Sequence, residues 1–184
     1  MMSTLFDPTN QDSIYKFAQK LKGKTLRNVL NKSQVSEIEE IEKKAIDRAK
    51  KNNKSINKGS FGQKLEKFYF GFENNSSKNA DFSACDLELK ITPLKAIQSG
   101  ELRPKERMVC NIINFNKIIC EEWLSSSFLK KCNKILFIRY VDPMDKDISH
   151  LDYQFVDVRI NNILESEDCK QFERDWEKIV NKIK

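Results

Sequence analysis

The sequence predicts an α/β fold: a mixed central sheet with helices packed against it and a helical arm in front. Three observations carry that expectation. A two-residue alternation of polar and apolar side chains runs unbroken through residues 86–92. Runs rich in β-branched and aromatic residues follow at 107–115, 134–141 and 153–160. Helical amphipathic patterns bracket them, before residue 55 and after residue 167.

Residues 13–22 place Ile14, Phe17, Ala18 and Leu21 on one helical face, with Asp12 or Ser13 to cap the start and Gly23 to end it. A short helical piece is expected over Thr25 to Leu30. Ser36 with Glu39 reads as a capping box opening a third helix, whose solvent face carries Glu39–Lys43 and Glu40–Lys44 pairs. The polar stretch 51–59 reads as a loop. A helix at about 60–70 follows from Phe61, Leu65, Phe68 and Tyr69 on one face, then a turn-rich loop at 73–80. In the first strand, Asp86, Glu88, Lys90 and Thr92 face one way and Leu87, Leu89 and Ile91 the other, with Pro93 closing it. Residues 95–106 read as loop. The last helix, 167–183, carries Phe172, Trp176, Ile179, Val180 and Ile183 on one face.

Composition excludes several classes. The chain has 184 residues and 33 Lys+Arg against 27 Asp+Glu, a formal charge of +6. Twelve Phe, two Trp and four Tyr are enough to fill a core, so a folded chain and not wholesale disorder is expected. The longest apolar runs are a few residues, such as Ile135 to Ile138, so no segment spans a bilayer and no membrane partner is expected. The cysteines Cys85, Cys110, Cys120, Cys132 and Cys169 are odd in number and lack a C-x-x-C pair, and His150 is the only histidine. Structural zinc and histidine-based catalysis are therefore poor readings, and reduced thiols in the cytoplasm are expected. Cys110 reads as packing within the 107–115 strand, and His150 as part of a loop over 142–152.

The chemistry concentrates in D-x(6)-E-x-K: Asp81 just before the first strand, Glu88 and Lys90 on one face of it. Two carboxylates meeting at one point make a hard oxygen site suited to a divalent cation such as Mg²⁺. A lysine beside them can orient or deprotonate a water and stabilise charge on a phosphate. By spacing alone, a solvated strand face with a Glu–Lys pair remains open.

The surrounding residues extend the pattern: K-G-S-F-G-Q-K-L-E (58–66), A-D-F (80–82), L-E-L-K-I-T-P-L-K (87–95), K-E-R-M-V-C-N-I-I-N-F (105–115), S-S-S-F-L-K-K (125–131), K-I-L-F-I (134–138) and F-E-R-D-W-E (172–177). This series resembles the MutH-like endonucleases of the PD-(D/E)XK superfamily. That group includes a mismatch-repair nickase and type II restriction enzymes that cut at GATC, and the 105–115 and 125–131 blocks look more like the latter. L-K-G-K-T-L (21–26) is similar to the family's N-terminal arm.

The resemblance implies a restriction-endonuclease-like mixed sheet, with an arm at 1–55 and a catalytic core at 56–184 within a single domain 1–184. It implies Asp81, Glu88 and the Leu89 carbonyl as metal ligands, and Lys90 at the scissile phosphate. It adds Glu66 as a further active-site carboxylate and Lys131 as a second active-site lysine. Lys58 and Gly59, opening a helix, would meet a DNA phosphate. The implied cofactor is Mg²⁺ and the implied partner double-stranded DNA, with a second copy of the fold or dimerisation on DNA. The family continues past the D-W-E helix into a specificity segment, so the resemblance implies either a fragment lacking that segment or an unusual short member of the family.

The leading expectation is a restriction endonuclease domain cutting at GATC. A strand-nicking repair enzyme, and an inert DNA-binding module whose acidic residues are structural, remain as alternatives.

Overall fold

The computed structural model describes residues 5–53, 61–72 and 79–184. Lys58 and Gly59 lie outside the described residues. Helix α1 (Gln11–Gln19) begins at Asn10, whose side chain accepts the Ser13 N–H at 3.0 Å, slightly ahead of the expected caps. Past its end, Gly23 adopts φ +77°, a conformation that favours glycine, and donates its N–H to the Phe155 carbonyl at 2.8 Å. Helix α2 (Leu26–Val29) is capped by Thr25 with Asn28. Helix α3 (Lys32–Lys51) opens at Asn31, which exchanges bonds with Gln34. The Ser36–Glu39 box is therefore interior to α3. Glu39 reaches Arg27 at 2.7 Å, and Glu40–Lys44 forms as expected at 2.6 Å.

Helix α4 (Phe61–Leu65) runs directly into a π-helical turn, Glu66–Phe70. The wider turn adds Phe70 to the buried set that Phe61, Leu65 and Phe68 begin, and leaves Tyr69 half-buried. The remaining elements are β1 (Leu87–Ala96), β2 (Leu102–Pro104), α5 (Phe115–Ile118), α6 (Ser127–Cys132), β3 (Lys134–Val141), β4 (Phe155–Asn162) and α7 (Cys169–Ile183). They form a four-stranded mixed sheet in the order β2-β1-β3-β4, flanked by helices. The central β1–β3 pair is parallel and both outer pairings are antiparallel. The α/β expectation holds.

Three strand expectations change. First, β1 does not stop at Pro93. The Pro93 carbonyl accepts the Lys105 N–H at 3.0 Å, and the Leu94 carbonyl accepts the Asp142 N–H at 2.8 Å on the opposite, β3 side. The proline nitrogen therefore faces the β2 side at the end of that short ladder, where a missing N–H costs one marginal bond. Second, β2 arises inside the expected loop, pairing only with Leu94 to Ala96. Third, residues 107–114 form no strand, and α5 begins at Phe115. The outer edge of β1 is bridged by Phe82 at Leu87 and paired with β2 from Leu94, and the stretch between them stays without a partner strand. Val109 and Ile112 are exposed.

The sheet buries two faces. One carries Leu87, Leu89, Leu136, Ile138 and Val158 in a single cluster with Ile14, Phe17, Leu21, Ile38 and Leu65. The N-terminal helices thus share the core of the sheet. The other face carries Ile135 against Trp123, Leu129, Cys132 and Ile163. Among the described residues, no helix is long and apolar enough to cross a membrane.

A buried polar cluster crosses the first face. Lys64 Nζ meets Glu42 Oε1 at 2.7 Å and His150 Nδ1 at 2.8 Å, and all three residues are buried. His150, expected in a loop, sits in a 3₁₀ turn (His150–Asp152) and its N–H donates to Glu42 Oε1 at 3.2 Å. Burial pushes the Glu42 pKa up, but hydrogen bonds from Lys64 and Ser149 outweigh it and hold the pKa below the ordinary glutamate value. Because the folded pKa lies below the unfolded one, this stability is present above the ordinary glutamate range and is lost as pH falls through the folded pKa. Lys64→Met should cost ~3–5 kcal/mol in urea unfolding near neutral pH by stranding a buried carboxylate. The double variant Glu42→Leu/Lys64→Met should recover most of that loss, and additive losses would refute the pairing.

Candidate active site

The site forms where β1 lacks a partner strand. Phe82 and Leu87 exchange backbone bonds at 3.0 and 3.3 Å across a 3₁₀ turn (Ser83–Cys85). Asp86 closes that turn at φ +51°, a left-handed conformation that aspartate tolerates better than most residues. Asp86 is therefore exposed in the turn and not on the strand face expected for it. The antiparallel bridge folds Asp81 back beside Glu88, seven positions on in sequence. Asp81 Oδ2 accepts the Leu89 N–H at 2.9 Å. In a strand, a residue's N–H and C=O point the same way, so the Leu89 carbonyl also faces the Asp81 side.

Glu88 pairs in register with Ile135 and projects toward the α6 layer. It is 2% exposed, so a solvated strand face is excluded. Glu88 Oε1 accepts Lys90 Nζ at 2.7 Å, and Lys131 Nζ from α6 lies 3.7 Å away. Its second oxygen, Oε2, is buried with no hydrogen-bond partner. An unmatched buried carboxylate oxygen is costly and is the kind of atom a cation would satisfy.

The electrostatics follow from crowding. Burial raises the Glu88 pKa above the ordinary value, and the nearby Asp81 charge adds to it, against the pull of Lys90 and Lys131. Burial also raises Glu66, with Asp81 adding to it. Glu66, the first residue of the π turn, thus shares the field of Asp81, Glu88 and Lys90. For Lys90, burial favours the neutral form, but the hydrogen bond to Glu88 prevails and raises its pKa, so it stands as an ammonium. Among the described residues, no group of three or more His, Cys, Asp or Glu is placed to hold a metal by itself. The donors available to a hard cation are the Asp81 and Glu88 carboxylates and the Leu89 carbonyl, all oxygen, which fits Mg²⁺-type chemistry.

A cleft of about 630 Å³ opens beside these groups, lined by Lys90, Lys131, Cys110, Asn111 and Lys117 among others. Cys110, expected to pack within a strand, lines this cleft. The 107–114 segment was expected as sheet, and its irregular course is what makes it a cleft wall. Its polar residue Asn111, amid an apolar run, was the available signal.

The model of the family described as "DNA mismatch repair enzyme MutH" matches residues 70–175. That stretch holds Asp81, Glu88, Leu89, Lys90 and Lys131. The chain belongs to the MutH family. The type II restriction enzyme Sau3AI of Staphylococcus aureus is 35% identical over 126 residues, covering 67% of this chain. The match covers 25% of that relative, so the chain spans well under half its length. Glu66, Lys58 and Gly59 lie outside the part that the MutH-family model covers.

The crowding has a measurable consequence. A carboxyl whose folded pKa is raised costs stability as pH climbs from the unfolded pKa through the folded one. Glu66→Gln should remove that cost and stabilise the protein by on the order of 0.5 kcal/mol near neutral pH. The gain should vanish below the carboxylate range, where wild-type Glu66 is already neutral. Denaturant titrations at acidic and neutral pH compare the two proteins, and equal stability at neutral pH would contradict the clustering.

Proposed function

We propose that this chain is the catalytic part of a Mg²⁺-dependent endonuclease that hydrolyses phosphodiester bonds of double-stranded DNA. The observation that carries this reading is Glu88: buried, bonded to Lys90, and with one oxygen unmatched beside Asp81. A structural Glu–Lys pair has no need of an orphaned buried oxygen. Asp81, Glu88 and the Leu89 carbonyl would hold the cation, which when bound supplies a Lewis acid for phosphate oxygens and an acidified water.

The chain's own residues divide the remaining work. Lys90, held as an ammonium, donates to the scissile phosphate and stabilises its developing charge; in this protonated state it is no general base. Lys131, reaching the same point from α6, adds positive charge on the α6 side of the cleft. Glu66 orients Lys90 through the field they share. Lys58 and Gly59 are proposed to contact the DNA backbone. The formal charge of +6 suits a phosphate partner.

The type of cleavage follows the relative. Sau3AI is a type II restriction enzyme, and the 105–115 and 125–131 blocks favour restriction at GATC over strand nicking. The reading includes a second copy of the fold or dimerisation on DNA, since each duplex has two strands to cut. Five free cysteines suit the cytoplasm.

Supercoiled plasmid with Mg²⁺, against an EDTA control, tests the reading. Linear fragments ending at GATC are expected. An open circle alone would select the nickase, and intact plasmid with retained binding would select the inert module. Asp81→Ala and Glu88→Ala should abolish cleavage while leaving DNA binding. Lys90→Met, which nearly keeps the aliphatic stem, should slow cleavage ~100-fold or more. Wild-type cleavage by Lys90→Met would sink the mechanism.

A further inference from the structure

Two of the five cysteines are neighbours, and neither has a part in the reading above. Cys132, the last residue of α6, is fully buried, and its Sγ lies 3.3 Å from the Cys110 carbonyl oxygen. The Cys132 thiol thus donates to the backbone of Cys110 itself. Cys110 is half-buried and lines the cleft beside Lys90 and Lys131. One thiol of the pair is thus open to small molecules in the cleft, and its partner waits behind it in the core. The two residues lie 22 positions apart on separate segments, the irregular 107–114 wall and α6.

We propose that Cys110 and Cys132 are an oxidisable pair: a hydroperoxide entering the cleft converts them to a disulfide that fastens the cleft wall to α6. The steps balance. The Cys110 thiolate attacks the terminal oxygen of the peroxide, the O–O bond breaks, and Cys110 becomes a sulfenic acid. The hydroxide or alkoxide released takes a proton. Cys132 then loses its proton and attacks the sulfenic sulfur, the S–O bond breaks, and the departing hydroxide leaves as water. Two thiols are oxidised by two electrons, and one peroxide is reduced to two waters, or to water and an alcohol.

The local electrostatics favour this order. The neighbouring Cys132 thiol is the main cause that draws the Cys110 pKa down to about 7, with Lys90 assisting against burial. A large share of Cys110 is therefore thiolate near neutral pH. The proximity of Cys110, with burial and the Cys110 charge, pushes the Cys132 thiol up. Oxidation of Cys110 to the neutral sulfenic acid removes that charge, and with it one of the causes holding the Cys132 proton. In a reducing compartment such a disulfide is transient and reversible, unlike a structural one. The inference does not depend on the chain being a nuclease.

Peptide mapping of the full chain after hydrogen peroxide, with free thiols alkylated before digestion, tests it. A cross-linked peptide joining Cys110 to Cys132, lost on treatment with dithiothreitol, is expected. Exposed Cys120 is the internal control, since oxidation governed by exposure alone would reach it first. The Cys110→Ser variant changes only the half-buried partner. It should yield no cross-link and leave Cys132 alkylatable only on unfolding. Cys132→Ala should oxidise more slowly, because Cys110 loses the neighbour that lowers its pKa, and should stop at a dimedone-reactive sulfenic acid at Cys110. Wild-type protein in which both residues remain thiols at a dose that oxidises Cys120 would overturn the proposal. So would Cys110 passing to sulfinic acid beside an intact Cys132 thiol.

Discussion

A glutamate that is 2% exposed on a sheet face has to be compensated, and much of this structure answers that requirement. Glu88 takes Lys90 from its own strand at 2.7 Å and Lys131 from α6 at 3.7 Å. The first contact needs only the two-residue strand period. The second needs α6 to lie over β1 and β3, which Leu129 and Cys132 secure by packing on Ile135. Lys131 is adjacent to Cys132 in sequence, so anchoring one in the core aims the other at the carboxylate. Hydrophobic packing on this face therefore sets the electrostatics of the site. A loosening of α6 would leave Glu88 with a single cation and a larger desolvation cost.

The other half of the site is a matter of backbone geometry. Asp81 reaches Glu88 because the Phe82–Leu87 bridge reverses the chain, and the left-handed Asp86 permits a turn that tight. The bridge also occupies the β1 edge at Leu87, while β2 covers it only from Leu94. Between them Leu89 and Ile91 present backbone groups outward, and Asp81 takes the Leu89 N–H. The gap in strand pairing is what leaves a carbonyl and two carboxylates on one side of one strand. An edge is ordinarily a hazard for a sheet. Here charged side chains occupy it, which blunts that hazard and creates the site together.

Much of this was legible in the sequence, for reasons that differ by element. The parallel partner β3 runs over 134–141 as the apolar run indicated, because a strand buried on both faces has nothing to interrupt it. The alternation at 86–92 placed Glu88 and Lys90 together on one face. It could not show that this face is buried, because burial depends on α6, some forty residues on. The run at 107–115 misled because apolar content alone does not make a strand: this run leaves Val109 and Ile112 exposed and lines the cleft instead of pairing with β1. Pro93 misled in the opposite sense, since its effect depends on which side of the strand its nitrogen faces. Glu66 was visible only through the resemblance; its place on a π turn has no local sequence signature. The Glu42–Lys64–His150 cluster was missed because each member alone reads as a surface or loop residue.

On the proposed reading, the protein's share of the cation's coordination is deliberately incomplete. A small hard divalent ion demands about six oxygen donors in near-octahedral array. This chain offers two carboxylates and one carbonyl on the open side of β1, and no third acidic side chain is placed to close on the same point among the described residues. The remaining positions fall to water and to the phosphate itself. Affinity for the ion and affinity for DNA are then linked, each supplying ligands or charge that the other lacks. The raised pKa values of Glu66 and Glu88 come first from burial and then from the Asp81 charge, a cost that a bound cation would offset. Strain of that kind persists because the core beneath β1, with Leu87 and Leu89 fully packed, over-determines the strand that carries it.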